Sequence, residues 1–127
     1  MPVTDNSLTF SGRVRSVRFA IQGIGTMLRT QHNAWIHAAA TVAVIVTGAV
    51  LRLSASEWCW IVLAVMAVWT AEALNTAFEF LCDVASPEFH PAVKHAKDVA
   101  AGAVLITAVG AAVVGLLVFL PKVAALA

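Results

Sequence analysis

Charged residues are scarce in this chain. Asp, Glu, Lys and Arg make up only 12% of its 127 residues, whereas 61% of the residues are hydrophobic. A soluble domain of this length could not bury so much apolar surface, so the composition excludes an ordinary soluble protein and predicts a membrane protein. The formal net charge of +1 by itself does not indicate a class of binding partner. We expect no nucleic-acid partner.

Several common sequence signals are also missing. The two cysteines, Cys59 and Cys82, lie far apart along one predicted helix, so we expect no disulfide between them. No compact apolar segment follows the N-terminal arginines, so we expect no cleaved signal peptide. The chain contains no GxxxxGK[ST] phosphate-binding loop, and its composition and spacing alone therefore do not indicate ATP.

Three long apolar segments are present, at about residues 34–53, 58–84 and 96–120. Each is near or above the ~20 residues that a helix needs to cross ~30 Å of hydrocarbon, so they predict three transmembrane helices. The polar stretch "RLSASE" predicts a short turn between the first two, and "ASPEFHPAVKH" predicts a loop between the second and third. Pro121 is expected to end the third span.

The segment at about residues 7–30 predicts an amphipathic helix. Its aliphatic residues recur at spacings of three and four, with arginines largely elsewhere. The aliphatic positions are Val14, Val17, Ile21, Ile24 and Leu28. This pattern favours a helix lying in the membrane interface, the alternative being a helix packed on protein. The prediction is one all-α membrane domain spanning residues 1–127.

The distribution of basic residues predicts the orientation. With the N-terminus in the cytosol, six of the eight Lys and Arg residues fall on the cytosolic side and only Arg52 and Lys122 fall outside. This bias follows the positive-inside rule. The loop after the second span and the Asp83 end of that span are therefore expected to face the cytosol.

Four polar residues interrupt the second span: Glu72, Asn75, Glu79 and Asp83, within "EALNTAFEFLCD". At about 100° per residue they fall within roughly 80° of one another, and at ~1.5 Å per residue their stripe is about 16 Å long. An acid at the centre of a membrane helix costs ~2.5–3.5 kcal/mol on insertion scales, so such residues usually face a bundle interior and have a function. The alternative is a polar stripe for helix packing.

This stripe suits phosphoryl transfer. Carboxylates one helical turn apart can hold a divalent cation, and a desolvated carboxylate suits general-base catalysis on a hydroxyl. Lys94 and Lys97 could neutralise phosphates nearby. A proton or cation pathway is the rival interpretation, but between Cys59 and Glu72 the second span offers only Thr70 as a polar continuation.

Three segments carry a resemblance to a known family: the stripe, "EFHP" at 88–91 and "KDVAAGAVL" at 97–105. Together they resemble the prokaryotic diacylglycerol kinase and undecaprenol kinase family, which consists of small bacterial integral-membrane lipid kinases. The resemblance covers nearly the whole chain. It implies a homotrimer in the bacterial cell membrane that uses ATP and Mg²⁺ to phosphorylate a lipid hydroxyl at the cytosolic side.

The resemblance also implies roles for individual residues. Glu72 would be the catalytic base, Glu79 would bind the metal that bridges the nucleotide phosphates, and Lys97 would contact those phosphates. Asn75, Asp83 and Asp98 would position these groups. The other residues expected at the nucleotide are Phe19, Glu88, Phe89 and His90.

Two positions depart from the family pattern. Gln31 stands where many relatives have a metal-binding Glu, and its amide offers an oxygen with less charge. Phe19 stands where relatives often have Tyr, so a hydroxyl contact to ATP is expected to be missing.

The loop sequence "HPAVKHAKDVAAGAVL" resembles the undecaprenol kinase branch more than the diacylglycerol branch. The predicted substrate is therefore a polyprenol, with diacylglycerol as the alternative. His32 and His37, five residues apart near the start of the first span, do not form a convincing metal pair and are interpreted as interfacial residues.

Overall fold

A computed structural model describes residues 9–127 and confirms the all-helical prediction. Four helices follow in order: α1 (Phe10–Thr30), α2 (His32–Val50), α3 (Ala55–Ala85) and α4 (Pro91–Ala124). The last three are long and apolar enough to cross a membrane. Residues 7 and 8 of the predicted first helix lie outside the described residues.

The polar connections are shorter than the sequence predicts. Helix α4 begins at Pro91, inside the stretch predicted as loop, because proline is favoured in the first turn and the His90 side chain accepts a hydrogen bond from the Ala92 N–H. Ser54 and Glu57 form a capping box that starts α3.

The prediction that Pro121 ends the last span is wrong. The helix continues to Ala124, and the Pro121 carbonyl still accepts a hydrogen bond from the Ala125 N–H at 3.1 Å. Proline in the last turn removes only its own N–H donor, so the helix can continue for a few residues beyond it.

A single non-helical residue, Gln31, separates α1 from α2. It has extended backbone angles, φ −109° and ψ 115°, and its N–H caps α1 by donating to the Met27 carbonyl. Helix α1 therefore turns sharply into the first span and packs against the later part of α3 around Ala73 and Thr76. Most of its predicted aliphatic face is exposed, as at Ile21, whereas Leu28 is half-buried and Ile24 lines the cavity against α3.

The three long helices pack through small contact regions and leave most apolar side chains exposed. A cluster of Leu53, Ile61 and Val118 forms the apolar core at one end of the bundle. Nearby, α2 approaches α3 closely at Gly48, where an added Cβ would lie 2.7 Å from Trp58 Cη2. The polar stripe of α3 lies toward the opposite end, where α1 joins α2.

Candidate active site

Burial decreases steadily along the polar stripe of α3. Glu72 is only 1% exposed and Asn75 is 7% exposed. Glu79 is half-buried, and Asp83, near the end of the helix, is exposed. The stripe therefore leads from the interior of the helix bundle to its surface, as the helical spacing of these residues predicts.

Glu79 accepts hydrogen bonds from two amide side chains. Gln31 Nε2 donates to Glu79 Oε2 at 3.0 Å, and Asn75 Nδ2 donates to Glu79 Oε1 at 3.2 Å. The Gln31 side chain reaches this position because its backbone forms the turn between α1 and α2. The predicted site residue Gln31, 48 positions away, thus meets Asn75 and Glu79 of α3 at one carboxylate.

Glu72 lies deeper and lacks a hydrogen-bond partner for either carboxylate oxygen. His37 on α2 is its neighbour, with Nε2 3.5 Å from Glu72 Oε2. His37 Nε2 and Asn75 Oδ1 are also buried without hydrogen-bond partners. These four atoms belong to residues that line one cavity of about 310 Å³, which also touches Gln31 and Glu79. Leaving such groups unpaired costs about 1–3 kcal/mol each, so the cavity is suited to a polar ligand.

Sequence reasoning missed the position of His37. It was interpreted as an interfacial residue, but its side chain is only 15% exposed and faces Glu72 inside the bundle. The available signal was its location within the apolar stretch "AWIHAAATVAV", because a titratable residue inside a span is usually functional. Its spacing from His32 gave no information about contacts to another helix.

The contact between α2 and α3 is supported by a second pair of residues. Trp69 Nε1 donates to Thr41 Oγ1 at 3.0 Å, and the Thr41 hydroxyl donates to the His37 carbonyl at 2.7 Å. Trp69 lies one helical turn before Glu72 on α3, and Thr41 lies one turn after His37 on α2. These bonds fix the register in which His37 and Glu72 face each other.

Two lysines lie near the start of α4. Lys97 Nζ donates to Asp83 Oδ1 at 2.5 Å, and Lys94 Nζ donates to Asp98 Oδ2 at 2.5 Å. Ala101, one turn after Lys97 on the same face of α4, lines the Glu72 cavity. Lys97 therefore lies on the face of α4 that lines this cavity, one turn nearer the start of the helix.

Other predicted site residues surround this region without joining its hydrogen-bond network. Phe89 is 79% exposed and Phe19 is 49% exposed. The Glu88 carbonyl accepts a hydrogen bond from Ser86 Oγ, and His90 caps α4. The structure places Glu88, Phe89 and His90 in the α3–α4 connection, on the Asp83 side of the bundle.

The residues around Glu79 include oxygen atoms of the kind that bind a magnesium ion. Between residues 9 and 127, no three His, Cys, Asp or Glu side chains are grouped closely enough to hold a metal by themselves. Mg²⁺ needs only oxygen ligands and commonly takes one or two carboxylates from the protein, with substrate phosphates and waters completing its shell. The Glu79 carboxylate and the unpartnered Asn75 Oδ1 meet that requirement. In the structure Gln31 and Asn75 present their N–H groups to Glu79, so each amide must turn its oxygen toward a cation bound beside this carboxylate.

A second cavity continues from His37 toward the apolar core. It has a volume of about 280 Å³, lies between α2, α3 and α4, and is lined almost entirely by apolar side chains such as Val68 and Phe119. His37 and Ala108 line both this cavity and the Glu72 cavity. A polar site with an apolar extension suits an amphiphilic ligand.

Comparison with known proteins gives one family match and two named relatives. Residues 18–119 match the family model described as prokaryotic diacylglycerol kinase. The chain is 44% identical over 108 residues to the undecaprenol kinase of Bacillus subtilis (strain 168), covering 85% of this chain and 88% of that protein. It is 38% identical over 112 residues to the diacylglycerol kinase of Synechocystis sp. (strain ATCC 27184 / PCC 6803 / Kazusa), covering 87% of this chain and 64% of that protein.

Proposed function

This chain belongs to the prokaryotic diacylglycerol kinase family, and from that membership we propose that it transfers the γ-phosphate of ATP to the hydroxyl of undecaprenol. The product would be undecaprenyl phosphate. Diacylglycerol is the second candidate acceptor, since the Synechocystis relative is named a diacylglycerol kinase.

The unpartnered carboxylate of Glu72 carries this proposal. A buried carboxylate without a donor is costly, and the hydroxyl of a bound lipid alcohol would supply one. In the reaction, Glu72 accepts the proton of this hydroxyl as its oxygen bonds to the γ-phosphorus and the bond to the ADP leaving group breaks. General-base catalysis of this kind typically contributes ~10²–10⁴-fold to the rate.

The neighbouring residues would position the phosphates. Lys97, one turn before the cavity-lining Ala101, would contact the nucleotide, and Asp83 would hold the Lys97 ammonium in place through their ion pair. Asp98, paired with Lys94, would orient the start of α4. Mg²⁺ held by Glu79, Asn75 and Gln31 would neutralise charge on the phosphates. Phe19, Glu88, Phe89 and His90 would border the nucleotide.

Undecaprenol is favoured over diacylglycerol by the comparison with the two relatives, and the apolar cavity is compatible with its chain. The identity to the Bacillus undecaprenol kinase is higher, 44% against 38%, and the match covers more of that relative. The apolar cavity that begins at His37 would receive the start of the isoprenoid chain, while the hydroxyl remains beside Glu72.

The same proposal includes the assembly and the orientation. The many exposed aliphatic residues on the three spans, such as Leu63 and Leu117, provide surfaces for lipid and for other subunits of a homotrimer. Six of the eight basic residues lie in α1 or in the first turns of α4, and by the positive-inside rule this distribution favours a cytosolic site in the bacterial cell membrane.

Phosphate transfer from labelled ATP, measured with purified protein in mixed micelles, tests the proposal. Undecaprenol and diacylglycerol are offered in parallel, with Mg²⁺ present or chelated. We expect Mg²⁺-dependent labelling of undecaprenol by the wild-type protein and a loss of at least ~10²-fold in Glu72→Gln.

Glu57→Gln is the matched control, because Glu57 lies on the same helix at the opposite end and pairs with Lys122. It should retain activity. Labelling of diacylglycerol alone would transfer the assignment to the second candidate. Full activity of Glu72→Gln would refute the role of this carboxylate.

A further inference from the structure

We propose that His37 is a positioning residue for Glu72. In this inference, the His37 Nε2–H donates a hydrogen bond to Glu72 Oε2, so that Oε1 faces the acceptor hydroxyl. The inference rests on the proposed function, since it assigns Glu72 as the base. It adds a residue on α2 to a site otherwise formed by α3, α4 and Gln31.

The contact is the first reason. His37 Nε2 lies 3.5 Å from Glu72 Oε2, and neither atom has another hydrogen-bond partner. Within the described residues, no lysine or arginine pairs with Glu72, because Lys97 pairs with Asp83 and Lys94 with Asp98. His37 is thus the side chain available to donate to this buried carboxylate.

The rigidity of the contact is the second reason. The bond from Trp69 to Thr41 joins α3 to α2 one turn away from the contact, and the bond from Thr41 to the His37 carbonyl within α2 orients the Thr41 hydroxyl for it. A slip of either helix by one residue would rotate its side chains by about 100° and separate the two groups. A hydrogen bond held in this way keeps one carboxylate oxygen in place.

The surroundings are the third reason. His37 lines both the polar cavity around Glu72 and the apolar cavity between α2, α3 and α4. A lipid alcohol with its chain in one cavity and its hydroxyl in the other would pass the imidazole. A neutral imidazole with its proton on Nε2 binds the carboxylate without adding a charge beside an apolar chain.

Three variants separate positioning from packing. His37→Phe keeps a ring of similar size but removes the donor, whereas His37→Gln keeps an N–H donor on a side chain of comparable reach. His32→Phe, at the exposed start of α2, is the matched control for the same substitution away from Glu72. Each is assayed for kcat and for the KM values of ATP and undecaprenol.

We expect His37→Phe to lower kcat by about 10- to 100-fold with the KM for ATP within about threefold, since one hydrogen bond to a charged group is lost. His37→Gln should recover most of kcat, and His32→Phe should match wild type. The role of His37 would be overturned if His37→Phe had the wild-type kcat, or if His37→Phe and His37→Gln lost kcat equally. Neither result would affect the proposed function.

A measurement without turnover tests the contact itself. In ¹⁵N-histidine-labelled protein, the Nε2 resonance of His37 should shift in Glu72→Gln while that of His32 does not. An unchanged His37 resonance would overturn the inference. Wild-type protein that transfers no phosphate would overturn the proposed function and the role of His37 with it.

Discussion

Gln31→Glu is expected to replace an attractive contact with Glu79 by a repulsive one in the hydrogen-bond network of Gln31, Asn75 and Glu79 (the Glu79 network). In the wild-type structure, Gln31 Nε2 donates to Glu79 Oε2 at 3.0 Å, so this carboxylate is satisfied without a cation. The substitution replaces the donor with a second carboxylate of the same length. Two carboxylates ~4 Å apart repel by roughly 1 kcal/mol in water and by roughly 4 kcal/mol at an effective dielectric constant of about 20.

Because Gln31 and Glu79 are half-buried, the cost should fall between these limits. We take about 2 kcal/mol, which for a chain of this size lowers Tm by roughly 6–10 °C. Adding Mg²⁺ should reverse most of this loss, because two facing carboxylates form a better site for a hard cation than one carboxylate and an amide. The wild-type Tm should respond less to Mg²⁺.

Thermal unfolding in detergent with chelator and with Mg²⁺ measures both effects. Gln22→Glu is the matched control, since it makes the same change of charge at an exposed position on α1, away from Glu79. The reasoning is refuted if Gln31→Glu melts at the wild-type temperature in chelator. It is also refuted if Mg²⁺ raises the Tm of all three proteins equally.

Three further predictions concern the nucleotide and the packing of the spans. Lys97→Met is expected to raise the KM for ATP by about 10-fold or more, since it removes a charge-assisted contact to phosphate, while Lys122→Met should stay within about threefold. Similar KM values for these two variants would contradict the proposed contact of Lys97 with the nucleotide. Phe19→Tyr should lower the KM for ATP by about threefold if its hydroxyl reaches the nucleotide, and an unchanged KM would exclude that contact. Gly48→Ala should lower the free energy of unfolding by about 1–3 kcal/mol, because the added methyl group overpacks α2 against the Trp58 indole of α3. Gly110 has open space within the subunit, so the control Gly110→Ala should not lower Tm. Equal melting temperatures for the two variants would refute the close approach of α2 to α3 at Gly48.

The helical content and the stripe of α3 could be predicted because both depend on local periodicity. Glu72, Asn75 and Glu79 follow a helical repeat, and the structure gives them the graded burial that this repeat indicates. The ends of α4 could not be predicted as well. Proline was read as a helix breaker at both ends, whereas Pro91 starts the helix and Pro121 interrupts only one bond in its last turn.

The contacts between helices depend on long-range geometry that one sequence does not display. The hydrogen bond from Gln31 to Glu79 spans 48 positions and exists because the chain turns at Gln31 itself. The contact between His37 and Glu72 requires the register set by Trp69 and Thr41. A resemblance to a family assigned Gln31 to the site, but neither periodicity nor spacing indicated His37.

The burial of Glu72 has a consequence for how this protein would respond to selection. Among the large side chains of residues 9–127, only this carboxylate is less than 2% exposed, in a position where most folds have an apolar residue. Replacing buried ionic groups with apolar side chains of similar size is often neutral or stabilising, by about 1–4 kcal/mol. Selection for heat resistance alone would therefore favour Met or Leu at position 72, giving a more durable membrane protein without its proposed base. In the proposed mechanism, durability and turnover are opposed at this one side chain.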